Sequence, residues 1–266
     1  AGYSTGPLAP GAYAWLRIEM TPSSAVSAGA ALTATVTATS AQDGTKADVV
    51  TAVTTAAPSY QPDAKIRTLA ESSYTGDNLY TPTGAGQTKA QAVAANGTAT
   101  YVLHVQNDGN AHDTVTVTGT KAPAGWTVQY YNVATNVEIT PQVTGAGYST
   151  GLLAPGAYAW LRIEMTPSSA VSAGASLTAT VTATSAQDGT KQDVMKAITA
   201  AALSYQPDAK IRNLADAAYT GDNLYTLTGA GQTKAQSVAA NGTATYVLHV
   251  QNDGNATDNV TVTGTA

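Results

Sequence analysis

The sequence predicts an all-β fold in which antiparallel β-sandwich domains follow one another in tandem, with about 145 residues per repeat. Three observations lead to this prediction. Residues 1–121 recur at residues 146–266 with 17 differences and no gap. Short segments alternate apolar and polar residues between clusters of Gly, Pro, Asn and Asp. About one residue in six is Thr, which favours strands over helices.

The repeat divides the chain into three units. Two repeats of 145 residues would need 290 residues, and the chain of 266 falls short by the 24 residues of segment 122–145, which occurs once. An Ala-rich junction precedes Tyr60 and recurs before Tyr205, and we place the unit boundaries there. We therefore expect the C-terminal part of a repeat at residues 1–58, a complete repeat at residues 59–203 and the N-terminal part of a further repeat at residues 204–266. We also expect the chain to be a segment of a longer array.

Period-two alternation locates the strands of the complete repeat. In residues 98–106, Tyr101 and Leu103 share one face while Thr100 and His104 share the outer face. An apolar inner face and a Thr-rich outer face are typical of antiparallel sheets that cover a core, and about eight to ten such strands predict a two-sheet sandwich. The predicted strands are residues 63–69, 87–93, 98–106, 115–118, 126–131, 137–143, 158–165, 177–185 and 193–200.

Asp-Gly pairs predict two tight hairpins. Residues 107–110 and residues 187–190 each contain such a pair, which supplies the positive φ angles of a short hairpin turn. The Ala-rich stretch at residues 195–202 is the one place where a short helix could compete with a strand.

Composition argues against several classes of function. The chain has 17 acidic and 12 basic residues and a net charge of −5, so it lacks the basic stripe that binds nucleic acid or an anionic membrane surface. No apolar run is long enough to predict a membrane span. With no Cys and three His residues, thiol chemistry is excluded and most metal and acid–base chemistry is thinly supplied. We therefore predict no catalytic residues and no enzymatic activity.

Two motifs known from enzymes occur without the context that their chemistry requires. Residues 147–151 match the Gly-x-Ser-x-Gly elbow of hydrolases around Ser149, but a predicted strand follows where the elbow needs a helix. Residues 83–89 are similar to a phosphate-binding loop but lack its four-residue spacer. We interpret both segments as loops.

Oxygen-bearing side chains raise a calcium hypothesis. Asp108, Asn110 and Asp113 lie close together in sequence, and Asp77 could join them across space. Carboxylate and amide oxygens are calcium ligands, but the stretch lacks the acidic residue at the twelfth position of a calcium loop. A hairpin turn without metal is the alternative interpretation, and no other cofactor is expected.

Five aromatic residues are candidates for contacts between domains or with a glycan. Trp15 and Trp160 project from the polar face of equivalent predicted strands, where each could pack against a neighbouring domain or stack on a sugar. Trp126, Tyr130 and Tyr131 could form a concave aromatic surface for a glycan.

The units resemble the immunoglobulin-like repeats of large secreted and cell-surface bacterial proteins. The resemblance covers the whole repeat and rests on the segments at residues 60–67, 74–80, 106–110, 125–128, 153–156 and 183–185. It implies an immunoglobulin-like sandwich for each repeat, an extracellular or cell-surface location and a non-catalytic spacer role.

Two functions from different classes are consistent with these features. The first is a structural repeat protein that builds an extracellular stalk, fibre or surface filament, with neighbouring repeats or copies of itself as partners. The alternative is an adhesive or carbohydrate-binding module attached to an enzyme or a surface anchor. Strand exchange between residues 205–266 of one molecule and residues 1–58 of the next is a further possibility, weakened because the hybrid would lack segment 122–145.

Overall fold

The computed structural model describes residues 2–265, which form fourteen β-strands and one short helix. The strands are β1 (Ala31–Thr39), β2 (Ala47–Thr55), β3 (Pro62–Thr68), β4 (Thr88–Val93), β5 (Ala99–Asn107), β6 (Asp113–Gly119), β7 (Trp126–Asn132), β8 (Val137–Glu138), β9 (Tyr148–Leu153), β10 (Tyr158–Pro167), β11 (Ser176–Ser185), β12 (Gln192–Ala201), β13 (Pro207–Asn213) and β14 (Tyr246–Asn252), and the helix α1 is Thr140–Val143. Among these residues no helix has the length and apolar character needed to cross a membrane.

Strands β3 to β12 form a β-sandwich of two five-stranded sheets. The first sheet has the order β3-β5-β10-β7-β8, and the second sheet has the order β4-β12-β11-β6-β9. Neighbouring strands run antiparallel, except for β4 and β12, which run parallel. The predicted all-β sandwich is confirmed, and both sheets lie within residues 59–203.

Side chains on the facing sides of the two sheets form one hydrophobic core. Tyr101 and Leu103 from the first sheet, and Val117 and Val181 from the second, are at most 1% exposed. The alternation in the sequence explains their burial, because every second residue of a strand points to the same face. Burial of each such side chain contributes about 1.5–3 kcal/mol to folding. Tyr101 also connects the sheets, since its hydroxyl donates a hydrogen bond to the Ile198 carbonyl of β12.

A buried carboxylate makes a further connection between the sheets. Asp193 in β12 is fully buried, and its Oδ2 accepts hydrogen bonds from the Ala64 amide of β3 and from Gln87 Nε2, both at 2.7 Å. Its Oδ1 accepts from the Thr81 and Val194 amides, both at 2.9 Å. Burial raises the pKa of Asp193, although the hydrogen bonds act in the opposite direction. One carboxylate therefore holds β3, β12 and the segment before β4 together.

The structure corrects the predicted hairpin at residues 107–110. Strand β5 belongs to the first sheet and β6 to the second, so this connection crosses between the sheets. The second Asp-Gly turn does join a hairpin, because β11 and β12 pair directly. Its turn is held by Ser185 Oγ and Asp188 Oδ1, which accept hydrogen bonds from backbone amides at 3.0 Å. Neither Gly109 nor Gly189 has a positive φ angle.

Other predictions of local structure also require correction. Residues 137–143 are not one strand, because β8 ends at Glu138 and α1 follows, with Pro141 in its first turn, where a missing N–H is tolerated. Most of the Gly-x-Ser-x-Gly motif lies in strand β9, where a loop was expected. Strand β12 extends to Ala201, so the competing helix at residues 195–202 does not form.

The same sequence forms a strand only where its partner strands are present. Residues 11–20 are identical to residues 156–165, yet β10 begins at Tyr158 and residues 11–20 contain no strand. Strand β10 pairs with β5 and β7, and residues 1–58 contain no counterpart of either. The strand pairs described outside the sandwich are β1–β2 and β13–β14, which repeat the registers of β11–β12 and β3–β5.

Candidate functional site at the junctions between repeats

The first junction joins residues 1–58 to the complete repeat, and Asn110 lies at its centre. Asn110 Oδ1 accepts a hydrogen bond from the Ser59 amide at 2.7 Å, and its Nδ2 donates to the carbonyls of Val26 at 3.0 Å and Ala57 at 3.1 Å. The Asn110 carbonyl accepts from the Ala28 amide at 3.0 Å. Asn110, in the β5–β6 connection, therefore binds both the connecting segment, residues 57–59, and the preceding unit, residues 1–58.

The second junction repeats this arrangement at an offset of 145 residues. Asn255 Oδ1 accepts from the Ser204 amide at 2.8 Å, its Nδ2 donates to the Ala202 carbonyl at 2.8 Å, and its own carbonyl accepts from the Ala173 amide at 3.1 Å. The asparagine amide also donates to the serine carbonyl at both junctions, at 3.0 Å for Asn110 and Ser59 and at 3.1 Å for Asn255 and Ser204. Asn255 therefore repeats every contact of Asn110 except the one to Val26. Specific hydrogen bonds therefore hold the connecting segment at both junctions. Each of them contributes about 1 kcal/mol net.

A glycine beside each asparagine allows the connecting segment to approach closely. A Cβ at Gly109 would lie 2.2 Å from the Ser59 carbonyl oxygen, and a Cβ at Gly254 would lie 2.4 Å from the Ser204 carbonyl oxygen. Any larger residue would displace the backbone of the connecting segment. The Asp-Gly pair at residues 108–109 therefore serves the junction and not a hairpin turn.

The two junctions lie at opposite ends of the sandwich. Strand β5 ends at Asn107, next to the first junction. Strand β10 runs antiparallel to it, so that Met165 near the end of β10 lies opposite Ala99 at the start of β5. Ala173 of the second junction follows β10 in the chain. The chain thus enters the sandwich at one end of its strands and leaves it at the other.

The outer face of the first sheet carries four neighbouring rings, Tyr74, His104, Tyr158 and Trp160, which we call the aromatic row. The ring centroids are 5.3 Å apart for Tyr74 and His104, 4.3 Å for His104 and Tyr158, and 5.3 Å for Tyr158 and Trp160. Cross-strand pairing of β5 with β10 brings His104 opposite Trp160. Tyr158 and Trp160 are half exposed, whereas Trp15, the counterpart of Trp160, is 87% exposed.

The remaining aromatic candidates do not share one surface. Tyr130 is fully buried in the core, so the expectation that it lines a contact surface is wrong. Tyr131 points to the other side of β7, where the Arg162 guanidinium lies 4.3 Å from its ring centroid. Adjacent residues of a strand face opposite ways, which excludes a surface that contains both tyrosines. Trp126 begins β7 and is partly exposed.

Three of the four calcium candidates are engaged in separate contacts, and the fourth is buried. Asp77 forms an ion pair with Lys65 of β3. Asp108 Oδ2 accepts a hydrogen bond from the Tyr80 hydroxyl at 3.0 Å. Asn110 belongs to the first junction, and Asp113 is fully buried. Within residues 2–265, no group of three or more His, Asp or Glu side chains is arranged to hold a metal ion. The calcium hypothesis stays a prediction.

The enzyme-like motifs lie in segments without the strand–turn–helix context. Ser149 is exposed in β9, its Oγ accepts a hydrogen bond from the Gly151 amide at 3.3 Å, and the next element is strand β10. Residues 83–87 form turns in which Gly84 and Gly86 have positive φ angles, and residues 88–89 begin strand β4.

Two buried titratable groups, His104 of the aromatic row and Asp63 of the neighbouring strand β3, have pKa values shifted in opposite directions. Burial raises the pKa of Asp63 to about 6, against the attraction of Lys65, whose Nζ lies 3.1 Å from Asp63 Oδ2. Burial, together with the positive charge of Lys65, lowers the pKa of His104 to about 4. As the pH falls through 6 the folded repeat therefore takes up a proton at Asp63, whereas His104 stays neutral until the pH approaches 4.

We predict that His104→Gln makes the complete repeat more stable at pH 4.5 than at pH 7. A lowered histidine pKa removes stability as the pH falls from 6.5 to 4, and a raised carboxyl pKa adds stability as the pH falls from 6 to 4. Each effect amounts to about 2 kcal/mol, so the two nearly cancel in the wild type. Without His104 the gain of about 2 kcal/mol from Asp63 remains. Urea unfolding at the two pH values measures it.

The matched control for this prediction is His249→Gln, which changes the exposed copy of the same residue. We expect its stability to follow the wild type at both pH values. Equal pH dependence of stability in His104→Gln and wild type would show that His104 does not offset the gain from Asp63.

Comparison with known proteins gives distant structural similarity alone. No protein-family model matches the chain, and the search of curated proteins found no relative. Solved structures similar to it include the VesB protease of Vibrio cholerae (14% identity, TM-score 0.27, 42% of this chain and 30% of that one). A second is a protein of unknown function from Porphyromonas gingivalis W83, with 10% identity, a TM-score of 0.29 and coverage of 65% of this chain and 66% of that one. A third is BcpA, the major pilin subunit of Bacillus cereus, with 10% identity, a TM-score of 0.29 and coverage of 68% of this chain and 56% of that one. The chain spans less than two thirds of the length of each, and similarity at this level carries no information about activity.

Proposed function

We propose that the chain is a non-catalytic structural repeat protein whose units stack end to end in an extracellular or cell-surface stalk, fibre or filament. The main support is the placement of the junctions: the chain enters the sandwich at one end of its strands and leaves at the other, and Asn255 repeats all but one of the contacts of Asn110. Repeats that share one junction geometry add length at a constant interval. The extracellular location rests on the resemblance to bacterial surface repeats.

The length gained per repeat follows from strand geometry. Strand β5 has nine residues, and at about 3.3 Å per residue it spans about 30 Å. The outer faces of the second sheet are rich in Thr, whose β-branched hydroxyl side chains support strands and permit close contact between neighbours without the desolvation of charges. A fibre of such units gains length with few charged groups on its surface.

Small-angle X-ray scattering of the dilute chain tests the proposal. We expect an elongated particle for the wild type. The double variant Asn110→Ala, Asn255→Ala should show a more flexible particle, because both connecting segments lose their side-chain hydrogen bonds. Gln187→Ala, in the exposed β11–β12 turn, is the matched control and should scatter as the wild type does. A flexible or compact wild-type particle would contradict the proposal.

The aromatic row supports a second candidate, an adhesive or carbohydrate-binding module. Tyr158 and Trp160 present half-exposed rings side by side on one sheet face, and rings with one open face can stack on the apolar side of a sugar. In a glycan-binding assay, Trp160→Ala should then lose binding, whereas Leu152→Ala, which removes an exposed side chain elsewhere, should retain it. Absence of glycan binding by the wild type would exclude this candidate.

A further inference from the structure

Four segments of the chain match Asn-x-Ser/Thr, the acceptor sequence of N-linked glycosylation. Their asparagines are Asn96, Asn241, Asn255 and Asn259. Such matches are frequent in a chain rich in Thr, so the repeat and the local structure must distinguish between them. Asn96 and Asn241 are copies of each other, each followed by Gly and Thr, whereas the copies of the other two segments lack the acceptor sequence. The acceptor sequence therefore recurs with the repeat only at Asn96 and Asn241.

Asn96 lies in the turn that connects β4 to β5, between Val93 and Ala99. Its φ angle is 61°, in the left-handed region that asparagine enters more readily than most residues. The turn is closed by a backbone hydrogen bond from the Gly97 amide to the Ala94 carbonyl at 2.9 Å. This bond does not use the Asn96 side chain, and Asn96 is exposed. The side-chain amide is therefore accessible to an enzyme without any change in the fold.

The other repeated acceptor has the same local structure, and Asn255 has a different one. Asn241 is exposed and has a φ angle of 60°. Asn255 Nδ2, the atom to which a sugar would be attached, donates a hydrogen bond to the Ala202 carbonyl, and its Oδ1 accepts from the Ser204 amide. Modification of Asn255 would therefore compete with the contacts that close the second junction. The fold favours Asn96 and Asn241 as acceptors and disfavours Asn255.

Asn96 also lies at the edge of a polar cleft at the second junction, which we call the junction cleft. Its volume of about 350 Å³ is within the roughly 300–1,000 Å³ of small-molecule sites. The complete repeat contributes Asn96 and Ser169, and the unit at residues 204–266 contributes the polar side chains of Asn223, Tyr225, Gln251 and Asp253. Amide, hydroxyl and carboxylate groups are hydrogen-bonding partners for the hydroxyl groups of a sugar. A sugar on Asn96 would therefore meet polar groups from both units.

We propose that Asn96 and Asn241 carry N-linked glycans, and that the first sugars on Asn96 lie in the junction cleft and connect the complete repeat to the following unit. The inference rests on the extracellular or cell-surface location in the proposed function, because N-linked glycans are carried by exported proteins. It adds a modification that recurs with the repeat and strengthens the second junction.

The modification joins one nitrogen of the asparagine side chain to a sugar. A bond forms between Asn96 Nδ2 and the anomeric carbon of an oligosaccharide that is activated on a lipid pyrophosphate. The bond between that carbon and the pyrophosphate oxygen breaks, and the lipid pyrophosphate leaves with the electron pair. Nδ2 loses one proton, which a base of the oligosaccharyltransferase accepts. Neither an oxidant nor a metal ion of this chain is needed.

Glycosylation of the folded chain with purified components tests the acceptor sites. The chain is incubated with an oligosaccharyltransferase that recognises Asn-x-Ser/Thr and with a lipid pyrophosphate-linked oligosaccharide, and peptides of the digested chain are treated in parallel. Peptide N-glycosidase in water labelled with heavy oxygen then marks each glycosylated asparagine for mass spectrometry. We expect modification of Asn96 and Asn241 in the folded chain, and modification of Asn255 in the peptides alone.

The matched variants are Thr98→Ala and Thr98→Ser, which both retain Asn96. Thr98→Ala removes the acceptor sequence, so Asn96 should stay unmodified while Asn241 is modified as in the wild type. Thr98→Ser retains the acceptor sequence and the hydroxyl group that contacts Thr166 Oγ1 at 2.9 Å, and Asn96 should be modified. Loss at Asn96 in both variants would show that the acceptor sequence is not what the transferase reads.

Hydrogen exchange tests the place of the glycan in the junction cleft. In the glycosylated wild type, exchange at the Ser204 amide should be about fivefold slower than in Thr98→Ala treated in the same way, which is the effect of one additional net hydrogen bond on local opening. The Ser59 amide lies at the opposite end of the sandwich and should exchange equally in both. Equal exchange at Ser204 would contradict the contact between the two units.

Two further outcomes would overturn the proposal. One is a folded chain in which Asn96 and Asn241 stay unmodified although their peptides are modified, and the other is a folded chain in which Asn255 is modified as fully as Asn96. Neither outcome affects end-to-end stacking, which the scattering experiment tests on the unmodified chain with the junction variants. An elongated chain without accessible acceptors would retain the proposed function and reject the glycans.

Discussion

Replacing Asp193 by Ala should destabilise the complete repeat by about 4 kcal/mol. The carboxylate accepts four hydrogen bonds in the interior, from the amides of Ala64, Thr81 and Val194 and from Gln87 Nε2. Each buried donor that loses its acceptor costs about 1–3 kcal/mol, while the variant is relieved of a buried carboxylate whose pKa is raised. The predicted loss is therefore smaller than the sum of four such costs. Urea unfolding followed by circular dichroism at pH 7 measures the change.

The sequence offers a matched control for this variant. Asp48→Ala removes the same side chain from the same local sequence in residues 1–58, where Asp48 is exposed and its Oδ1 accepts a hydrogen bond from the adjacent Val49 amide. We expect a change below about 0.5 kcal/mol there, as for ordinary surface substitutions. Similar losses for the two variants would show that the cross-sheet hydrogen bonds are not the source of the effect.

Replacing Asn110 by Ala should open the first junction and leave the second closed. The substitution removes three side-chain hydrogen bonds, to Ser59, Val26 and Ala57. At about 1 kcal/mol each, they amount to about a hundredfold in the opening equilibrium. Hydrogen exchange at the Ser59 amide, which donates to Asn110 Oδ1, should accelerate by that factor, because exchange of a protected amide reports local opening.

The reciprocal variant serves as the control. Asn255→Ala should accelerate exchange at the Ser204 amide and leave the Ser59 amide protected. Gly109→Ala should reproduce the effect of Asn110→Ala by a different route, since its Cβ would meet the Ser59 carbonyl oxygen at 2.2 Å. Unchanged exchange at the Ser59 amide in both first-junction variants would show that Asn110 does not hold the connecting segment.

The strands could be predicted because successive side chains of a strand point to opposite faces, so that alternation of apolar and polar residues in the sequence matches alternation of buried and exposed side chains. In β5 and β11 a period of two residues places Leu103 and Val181 on the core side, and short-range pattern is enough to see it. The identical decapeptides at residues 11–20 and 156–165 show that the local sequence pattern does not by itself determine whether a strand forms. Residues 156–165 contribute to strand β10 and residues 11–20 contain no strand, because only the former pair with partner strands, β5 and β7.

The junction could not be predicted from local rules. Asp108-Gly109 is a sound hairpin signal, but the turn chemistry is the same whether a glycine is needed for positive φ or for close approach of another backbone. A signal was available in the comparison of the copies: Asn110 and Asn255 each follow the Asp-Gly pair. Their role depends on the connecting segments at residues 57–59 and 202–204. Each asparagine lies 51 and 53 residues along the chain from its partners in the connecting segment.

The entry and exit of the chain at opposite ends of the sandwich determine how the repeat would carry tension. A pull on the two ends loads β3 at its start and β12 at its end, along the strand axes, so the interstrand hydrogen bonds share the load in shear. The carboxylate of Asp193 joins β12 directly to the Ala64 amide of β3, which couples the two loaded strands across the sheets. Forced unfolding depends on the rate of unfolding and not on equilibrium stability alone. A buried carboxylate between the two terminal strands therefore lies on the path along which force crosses each repeat.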